Sequence, residues 1–414
     1  MSEVHANFQF RPVGQGLFYT GVLSLDEARF TMVYDCGVQP NNSYISEQID
    51  EFVDENNLND DSAKLDILVI SHFHNDHISH VKELLDKTGG AKVVYLPFLS
   101  PEEIKVAKID SRIGGSSEAQ QIFLDNPTNV LKEWGAERVV YIHPNGGEGV
   151  VEPTNESSGP IRLDEKKMKK VSGGFPDGEE HQDDSGFITI QNFWRIKFFN
   201  KERDAARITL FLEAVKELIG IDDFEADDIT EYLKKYPKDG FKEFESLYKE
   251  RFGQYLINDT SLVVFHGPIK EVCNEAHSAV YMYRTSLMGY WARIPWRLFW
   301  DSEKENSSLL VGDIRMDDEC LNQIAAKWEE EIRHGVIFFQ VPHHGSNSYM
   351  VDRAFTEFPN STWQIINYGL GNSYKHPSAK TIDRINAHRG LNHLLFANQV
   401  ESVRVKYHIT LNDE

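Results

Sequence analysis

The chain has 414 residues and a formal net charge of −22 at pH 7, so its surface as a whole repels nucleic acid and anionic membranes, and any anionic substrate must meet a local cation that reverses the field. It is long enough to bury a sizeable core as one large domain or two, its composition is that of a soluble globular protein, and no apolar run approaches the roughly eighteen residues of a membrane span. The start MSEVHANFQF lacks a basic and then apolar signal region, and three cysteines (Cys36, Cys273, Cys320) without C-x-x-C spacing argue against a disulfide framework, so a reducing cytoplasm is the expected compartment.

Phe8–Leu25 carries apolar residues on both sides of Val13-Gly14-Gln15-Gly16. Phe30–Tyr34 is a further strand ending in Asp35-Cys36-Gly37, which predicts an amino-terminal hairpin. Asp35 reads equally well as a turn aspartate, and Cys36 as a small buried residue. Tyr44–Glu55 is predicted to be a helix because Ile45, Ile49, Phe52 and Val53 share one face and Ser43 can cap it. Leu65–Ile70, reading LDILVI, is the short bounded apolar run of a strand buried on both faces. It leads straight into Ser71-His72-Phe73-His74-Asn75-Asp76-His77. His72 and His74 are two apart and point the same way in an extended segment. Asp76 and His77 follow where the chain turns toward a helix over Ile78–Lys87, which Gly89-Gly90 stops. Imidazoles and a carboxylate at this spacing suit zinc or a similar divalent ion. A polar loop with chance histidines fits poorly directly after a buried strand.

Val93–Leu96 reads as a strand, Pro101–Ala107 starts a helix, and Ser117–Leu124 is a short helix. Asn126 caps another, with Pro127 at its first position, running to Trp134. Arg138–His143 is a strand, and His143 before Pro144 reads as structural or surface-exposed. Residues 145–186, rich in Gly, Glu, Asp and Lys, read as a long exposed loop or hairpin. Phe187–Phe199 is strand-like, and Glu202–Ile219, Asp227–Tyr236 and Phe241–Phe252 are predicted helices. Residues 200–256 thus form a helical insertion with a solvated charged face, which also offers a docking surface to a protein partner. Asn258–Phe265 leads into a strand, and the aromatic stretch Gly267–Asn306 reads as packing against the insertion in preference to a substrate wall. Ser308–Val311 is a strand ending in Gly312-Asp313, followed by a helix over Asp317–Ile332. Val336–Val341 is a strand leading through Pro342 into His343-His344-Gly345-Ser346. Ile365–Gly369 follows, then Asn372-Ser373-Tyr374-Lys375-His376-Pro377-Ser378.

H-x-H-x-D-H after a buried strand resembles the metallo-β-lactamase superfamily. V-G-Q-G, D-C-G, N-x-x-S-L-V, V-G-D, P-H-H-G-S and N-x-Y-x-H-P-S, in that order, resemble the hydrolase domain of ComEC, the competence DNA-uptake protein. The resemblance covers most of the chain outside the insertions. It implies an α/β fold, an αββα sandwich whose halves are residues 1–199 and 257–414, with a one- or two-metal site at the sheet edges. Carried over residue by residue, His72 and His74 take one metal, and Asp76, His77 and one of His343 or His344 take the other. His343 is preferred because it sits nearer the strand end. Asp313 bridges, Asp35 braces the ligand loop, and His376 orients substrate or supplies a proton. ComEC-like domains usually have Asp where this chain has His74, and nitrogen there favours zinc over manganese. The superfamily's additional His has no clear match; His266 and His277 are candidates, and Asn258 and Ser261 stand near its place in the order.

The implied activity is hydrolysis of a phosphodiester, in nucleic acid or a nucleotide, by a metal-activated hydroxide, with Asp76, Asp313 and His376 as the catalytic group. The alternative is hydrolysis of another ester or amide, of phosphocholine or lactam type. A third reading is a metal-stabilised module of a larger defence complex, docked through residues 200–256. On these expectations an enzyme keeps its hydrolysis when the insertion is deleted, whereas a docking module loses its partner.

Overall fold

A computed structural model of the chain describes residues 2–39, 44–59, 63–113, 118–144, 163–237, 239–252, 258–273, 278–286, 294–298 and 306–412. The strands are β1 (Glu3–Phe10), β2 (Gly16–Leu25), β3 (Ala28–Val38), β4 (Leu65–Val69), β5 (Ala91–Pro97), β6 (Ala136–His143), β7 (Leu163–Lys166), β8 (Glu179–Asp183) and β9 (Phe187–Ile190). They continue with β10 (Trp194–Phe199), β11 (Val263–Pro268), β12 (Ala279–Ser286), β13 (Ile294–Leu298), β14 (Ser307–Leu310), β15 (Val336–Gln340), β16 (Trp363–Asn367), β17 (Leu394–Ala397) and β18 (Glu401–Thr410). Among the described residues they make two sheets, one in the order β13-β12-β18-β1-β2-β3-β4-β5-β6-β8 and one in the order β17-β16-β15-β14-β11-β10-β9-β7.

The helices lie outside the sheets. They are α1 (Tyr44–Glu55), α2 (Asn75–Ile78), α3 (Val81–Lys87), α4 (Pro101–Ile113), α5 (Glu118–Asp125), α6 (Pro127–Glu133), α7 (Ala205–Ile219), α8 (Ala226–Lys235) and α9 (Asp239–Phe252). The carboxyl-terminal part adds α10 (Asp318–Lys327), α11 (Glu330–His334), α12 (Ala354–Glu357) and α13 (Ala379–Arg389).

Strand periodicity builds the layers. Ile67 and Val69 of β4 enter the core between the sheets, with Met32, Tyr34, Trp194, Ile196 and Val264. Leu68 and the following Ile70 point the other way, into a core with Ile49 and Phe52 of α1 and Leu84 of α3. Alternate residues thus face two apolar layers, which is why LDILVI is apolar on both faces. The second sheet repeats the device: Phe338 and Ile365 face the first sheet, whereas Phe339 and Ile366 pack with Leu321 and Ile324 of α10. The result is an αββα sandwich.

One stretch departs from its sequence reading. Residues 145–162 lie outside the described residues, but Leu163–Lys166 and Glu179–Asp183, in the stretch expected to be a long exposed loop or hairpin, are strands of different sheets. β7 pairs antiparallel with β9 and β8 parallel with β6, and Leu163, Asp164, His181 and Asp183 are buried. Polar composition suggested exposure, and sheet-edge pairing overrides it. The helices of the insertion share one apolar cluster with α4, in which Val106 and Ile109 meet Ile208, Phe211, Phe224, Ile229 and Phe244.

β3, β4, β5, β6 and β8 run parallel in the first sheet, as do β14, β15, β16 and β17 in the second. Their carboxyl ends deliver Asp35, the His72–His77 segment, Asp313, His343-His344 and Asn367 to one edge of the sandwich. Strand ends are where α/β sheets leave backbone free to form sites.

Candidate metal centre

The segment after β4 is held from below by Asp35. Its carboxylate is fully buried and accepts from Ser71 N (2.6 Å), Ser71 Oγ (2.6 Å) and His77 Nδ1 (2.7 Å). Burial pushes the Asp35 carboxyl up, and His77 and Ser71 oppose that shift. Donation from Nδ1 leaves Nε2 as the lone-pair nitrogen of His77. Gly37 lets β3 pass beneath α2, because a Cβ there would stand 2.5 Å from His77 N.

From the opposite sheet, Asp313 follows Gly312, whose φ of +53° is open to glycine. Asp313 N donates to Ser261 Oγ (3.2 Å), and Gln340 Oε1 accepts from Val311 N (2.8 Å) and Gly312 N (3.2 Å). The two oxygens of Asp313 face different partners. Oδ1 lies 3.4 Å from His77 Nε2 and 3.8 Å from His344 Nε2, whereas Oδ2 lies 3.9 Å from His72 Nε2 and 3.5 Å from His343 Nε2. His344 Nε2 also stands 3.3 Å from Asp76 Oδ2. His344 Nδ1 is 2.9 Å from the Asn367 carbonyl oxygen, to which it donates, so here too Nε2 carries the lone pair. His72 Nε2 and His74 Nδ1 are 3.1 Å apart.

These atoms form two groups, Asp76, His77, Asp313 and His344 in one and His72, His74 and Asp313 in the other, each with donor atoms within 4.8 Å of one another. His77 Nε2 is buried without a hydrogen-bond partner, and it faces a carboxylate oxygen. A ring nitrogen and a carboxylate oxygen facing each other in a dry site call for a proton or a metal cation between them. Two donors bound to one tetrahedral zinc at about 2.0–2.1 Å stand roughly 3.3 Å apart. The observed spacings cluster about that value, so the residues fit a pair of divalent ions that share Asp313.

Charge reinforces the fit. Burial, then the neighbouring His77 and His74, hold His72 well below the ordinary imidazole range, so its lone pair is free at neutral pH. Burial raises the Asp313 carboxyl, but His343, His77 and His344 outweigh it and keep the group ionised. Burial opposes a charge on His77, but the Asp313 and Asp35 carboxylates overcome it and raise its pKa, so the place between Nε2 and Asp313 draws a positive charge, a proton or, in its stead, a metal cation.

The structure gathers His72, His74, Asp76, His77 and Asp313 directly. It differs from the sequence-based preference at the histidine pair, because His344 and not His343 joins Asp76 and His77. Both residues take left-handed backbone, φ +46° and +53°, which turns their side chains apart. Such conformations cost about 1–3 kcal/mol each and persist where the surroundings fix them; here His343 N donates to Gly312 O (3.1 Å). His343 looks instead toward Asp313 Oδ2, on the His72 side. His376 stays at the lip, with its ring centroid 5.3 Å from that of His343. His266 lies away from the site, in the core between the sheets, where Tyr19 OH is 2.8 Å from its Nε2. His277 lies outside the described residues. Ser261 reaches the site, with Oγ 3.3 Å from His72 Nδ1, and Asn258 Nδ2 donates to Tyr349 OH (2.6 Å), beside His343. Sequence reasoning missed Asp110 of α4, whose Oδ2 is 3.8 Å from His74 Nε2, and Asn367 as the carbonyl that orients His344. Asp110 had no local signal, since it sits on an ordinary amphipathic helix.

Residues 24–156 match the metallo-beta-lactamase superfamily. With its paired sheets and flanking helices the chain carries a metallo-β-lactamase-fold domain. Members of that superfamily are generally hydrolases, and the matched segment contributes His72, His74, Asp76 and His77 to the candidate metal centre. No curated protein matches the chain. Among solved structures it is similar to the metallo-beta-lactamase fold protein YhfI from Bacillus subtilis, at 12% identity over 50% of this chain and 67% of that one, with a TM-score of 0.20. No helix among the described residues is long and apolar enough to cross a membrane.

Proposed function

We propose that the protein is a phosphodiesterase or nuclease that uses two divalent cations, zinc in the first place. The observation that supports this best is the division of Asp313, whose Oδ1 faces His77 and His344 while Oδ2 faces His72. One carboxylate shared between two donor groups holds two cations close despite their repulsion. When bound, such a pair lowers the pKa of water toward neutrality and neutralises charge developing on phosphate oxygens. His72, His74 and Asp313 would hold one ion, and Asp76, His77, His344 and Asp313 the other. Asp35 and Asn367 orient His77 and His344. His343 and His376, at the lip and outside the paired groups, are placed to meet substrate oxygens.

The lip supports an anionic substrate. From Phe358 through Ile382 the chain has no carboxylate, while Lys375 and Lys380 are exposed. In a chain of net charge −22 that is a locally favourable approach for phosphate. The ComEC-like order of motifs points the same way. The helical insertion, residues 200–256, acts in this reading as a buttress: its apolar cluster includes Val106 and Ile109 of α4, and α4 carries Asp110 to His74. Deleting it would then lower hydrolysis, against the simple expectation that an enzyme tolerates the loss.

The test is metal analysis of protein prepared with added zinc, followed by a screen of DNA, RNA, bis(p-nitrophenyl) phosphate, a phosphocholine ester and a β-lactam. One or two zinc ions per chain with hydrolysis of the phosphodiesters is expected. Absence of bound zinc and manganese under those conditions, or turnover of the lactam alone, would overturn the reading.

A further inference from the structure

The segment Tyr368–Ser378, between β16 and α13, forms one side of the candidate centre. The Asn372 amide braces it from within. Asn372 Oδ1 accepts from His376 N (3.0 Å), and Asn372 Nδ2 donates to Gly369 O (2.7 Å) and His376 O (2.6 Å). Gly369 N in turn donates to Gln15 Oε1 (3.1 Å), which ties the loop to the first sheet. This frame presents Tyr374 with its ring parallel to that of His376, at 14° and 5.9 Å between centroids. Tyr374 is nevertheless 56% exposed, the largest value among the exposed large apolar side chains of the described residues. His376 adjoins His343, and His343 Nε2 is 3.5 Å from Asp313 Oδ2, so the exposed ring is linked to the candidate metal centre through His376 and His343.

An exposed aromatic ring on a loop held by side-chain hydrogen bonds has little conformational entropy left to lose when a flat partner covers it. Planar bases stack on such platforms whatever their sequence. The adjacent Lys375, exposed on a stretch free of carboxylates, suits a phosphate beside that base. In a duplex both faces of an internal base are covered by its neighbours, so the ring can reach only an unpaired one.

We propose that Tyr374 stacks an unpaired nucleobase next to the scissile phosphodiester, which makes the substrate a single-stranded nucleic acid or nucleotide and not a duplex. This rests on the phosphodiesterase reading above, and the experiment separates the two. Fluorescence anisotropy of zinc-loaded protein is measured with a short phosphorothioate-linked oligothymidylate, which resists cleavage, and with an abasic strand of equal length. Hydrolysis of the ordinary phosphodiester versions is followed in parallel. Wild type is expected to prefer the base-bearing strand by roughly 5- to 150-fold, the range that stacking of one base supplies. Tyr374→Ala should lose that preference and Tyr374→Phe should keep it. Equal binding of the two strands by wild type, binding of neither, or a preference that survives in Tyr374→Ala overturns the assignment. A wild type that keeps the preference but cleaves no phosphodiester removes the hydrolytic reading and leaves the stacking site standing. Cleavage of both strands with equal binding removes the stacking site alone.

Discussion

His77 and His266 are both fully buried, one at the edge where the two sheets end and the other between the sheets, and their neighbours differ in kind. His77 lies between two carboxylates, donating to Asp35 and facing Asp313 with an unpartnered Nε2. His266 lies among rings, with centroid distances of 4.5 Å to Phe8 and 5.9 Å to Trp194, and its Nε2 meets Tyr19 OH. Burial alone pushes His266 down to about 3, whereas carboxylates carry His77 the other way in spite of burial. A buried imidazole therefore marks a candidate metal centre only when lone pairs converge on a shared anion. Elsewhere it is a polarised piece of core.

The largest expected effect comes from removing that anion. Asp313→Ala takes away the oxygens on which both donor groups converge, so metal stoichiometry should fall for both ions. Hydrolysis should drop by at least about 100-fold, beyond what loss of an outer partner causes. Leu309, Leu310 and Val311 stay in their cores, so circular dichroism should be unchanged. Full metal content with a wild-type rate would dismiss Asp313 as the shared ligand.

The next comparison is between adjacent residues. His344→Ala should lose close to one metal per chain, because its Nε2 stands 3.3 Å from Asp76 Oδ2. His343→Ala should keep the metal of the Asp76 and His77 group and lower the rate by a smaller factor. Equal metal loss in the two variants would put His343 among the ligands of both groups.

A smaller change tests orientation. Asn tolerates the φ of +59° that Asp35 adopts, so Asp35→Asn removes charge without a backbone conflict. Zinc affinity, measured by competition with a chelator, should fall roughly 10- to 100-fold. Unchanged affinity would mean that the His77 tautomer is fixed by something other than Asp35.

Much of this arrangement was legible in the chain, and the exceptions have physical causes. β4 showed itself because both its faces are apolar, Ile67 and Val69 toward one core and Leu68 and Ile70 toward another. The ligand run after it followed from spacing alone. The choice between His343 and His344 was not legible, because it depends on two left-handed backbone angles rather than on distance from the strand end. Leu163–Lys166 hid in a polar stretch, since its strand character comes from pairing with β9. Asp110 reaches His74 only through the packing of α4 on the insertion. His266 looked like a ligand from its position in the order, and nothing local to the sequence shows the rings that surround it.

That core histidine gives the smallest effect, and it can be isolated by pH. The unfolded value is 6.5 and burial lowers the folded one to about 3. A histidine depressed in the folded state leaves the unfolded chain binding more protons below pH 6.5, so its contribution is intact above that pH and is lost as pH falls toward 3. Each unit well inside this window is about 1.4 kcal/mol, so from pH 6.5 to pH 4.5 wild type should lose roughly 2 kcal/mol through His266 alone. His143, lowered to about 4 by burial and by His181, acts in the same direction, as does Glu180, where burial is outweighed by Arg138 and the carboxyl is held down, whereas burial-raised carboxyls such as Asp184 act the other way. Their effects are common to wild type and to His266→Gln, and cancel when the two are compared. Urea unfolding at pH 7 and pH 4.5 is the measurement. His266→Gln should be less stable than wild type at pH 7, where the packing of the imidazole against Phe8 and Trp194 is lost. The gap should narrow or reverse at pH 4.5, where only wild type must keep an imidazole unprotonated in the core. A gap that stays constant between the two pH values would show that His266 exchanges its proton as freely folded as unfolded, and the contrast with His77 would fail.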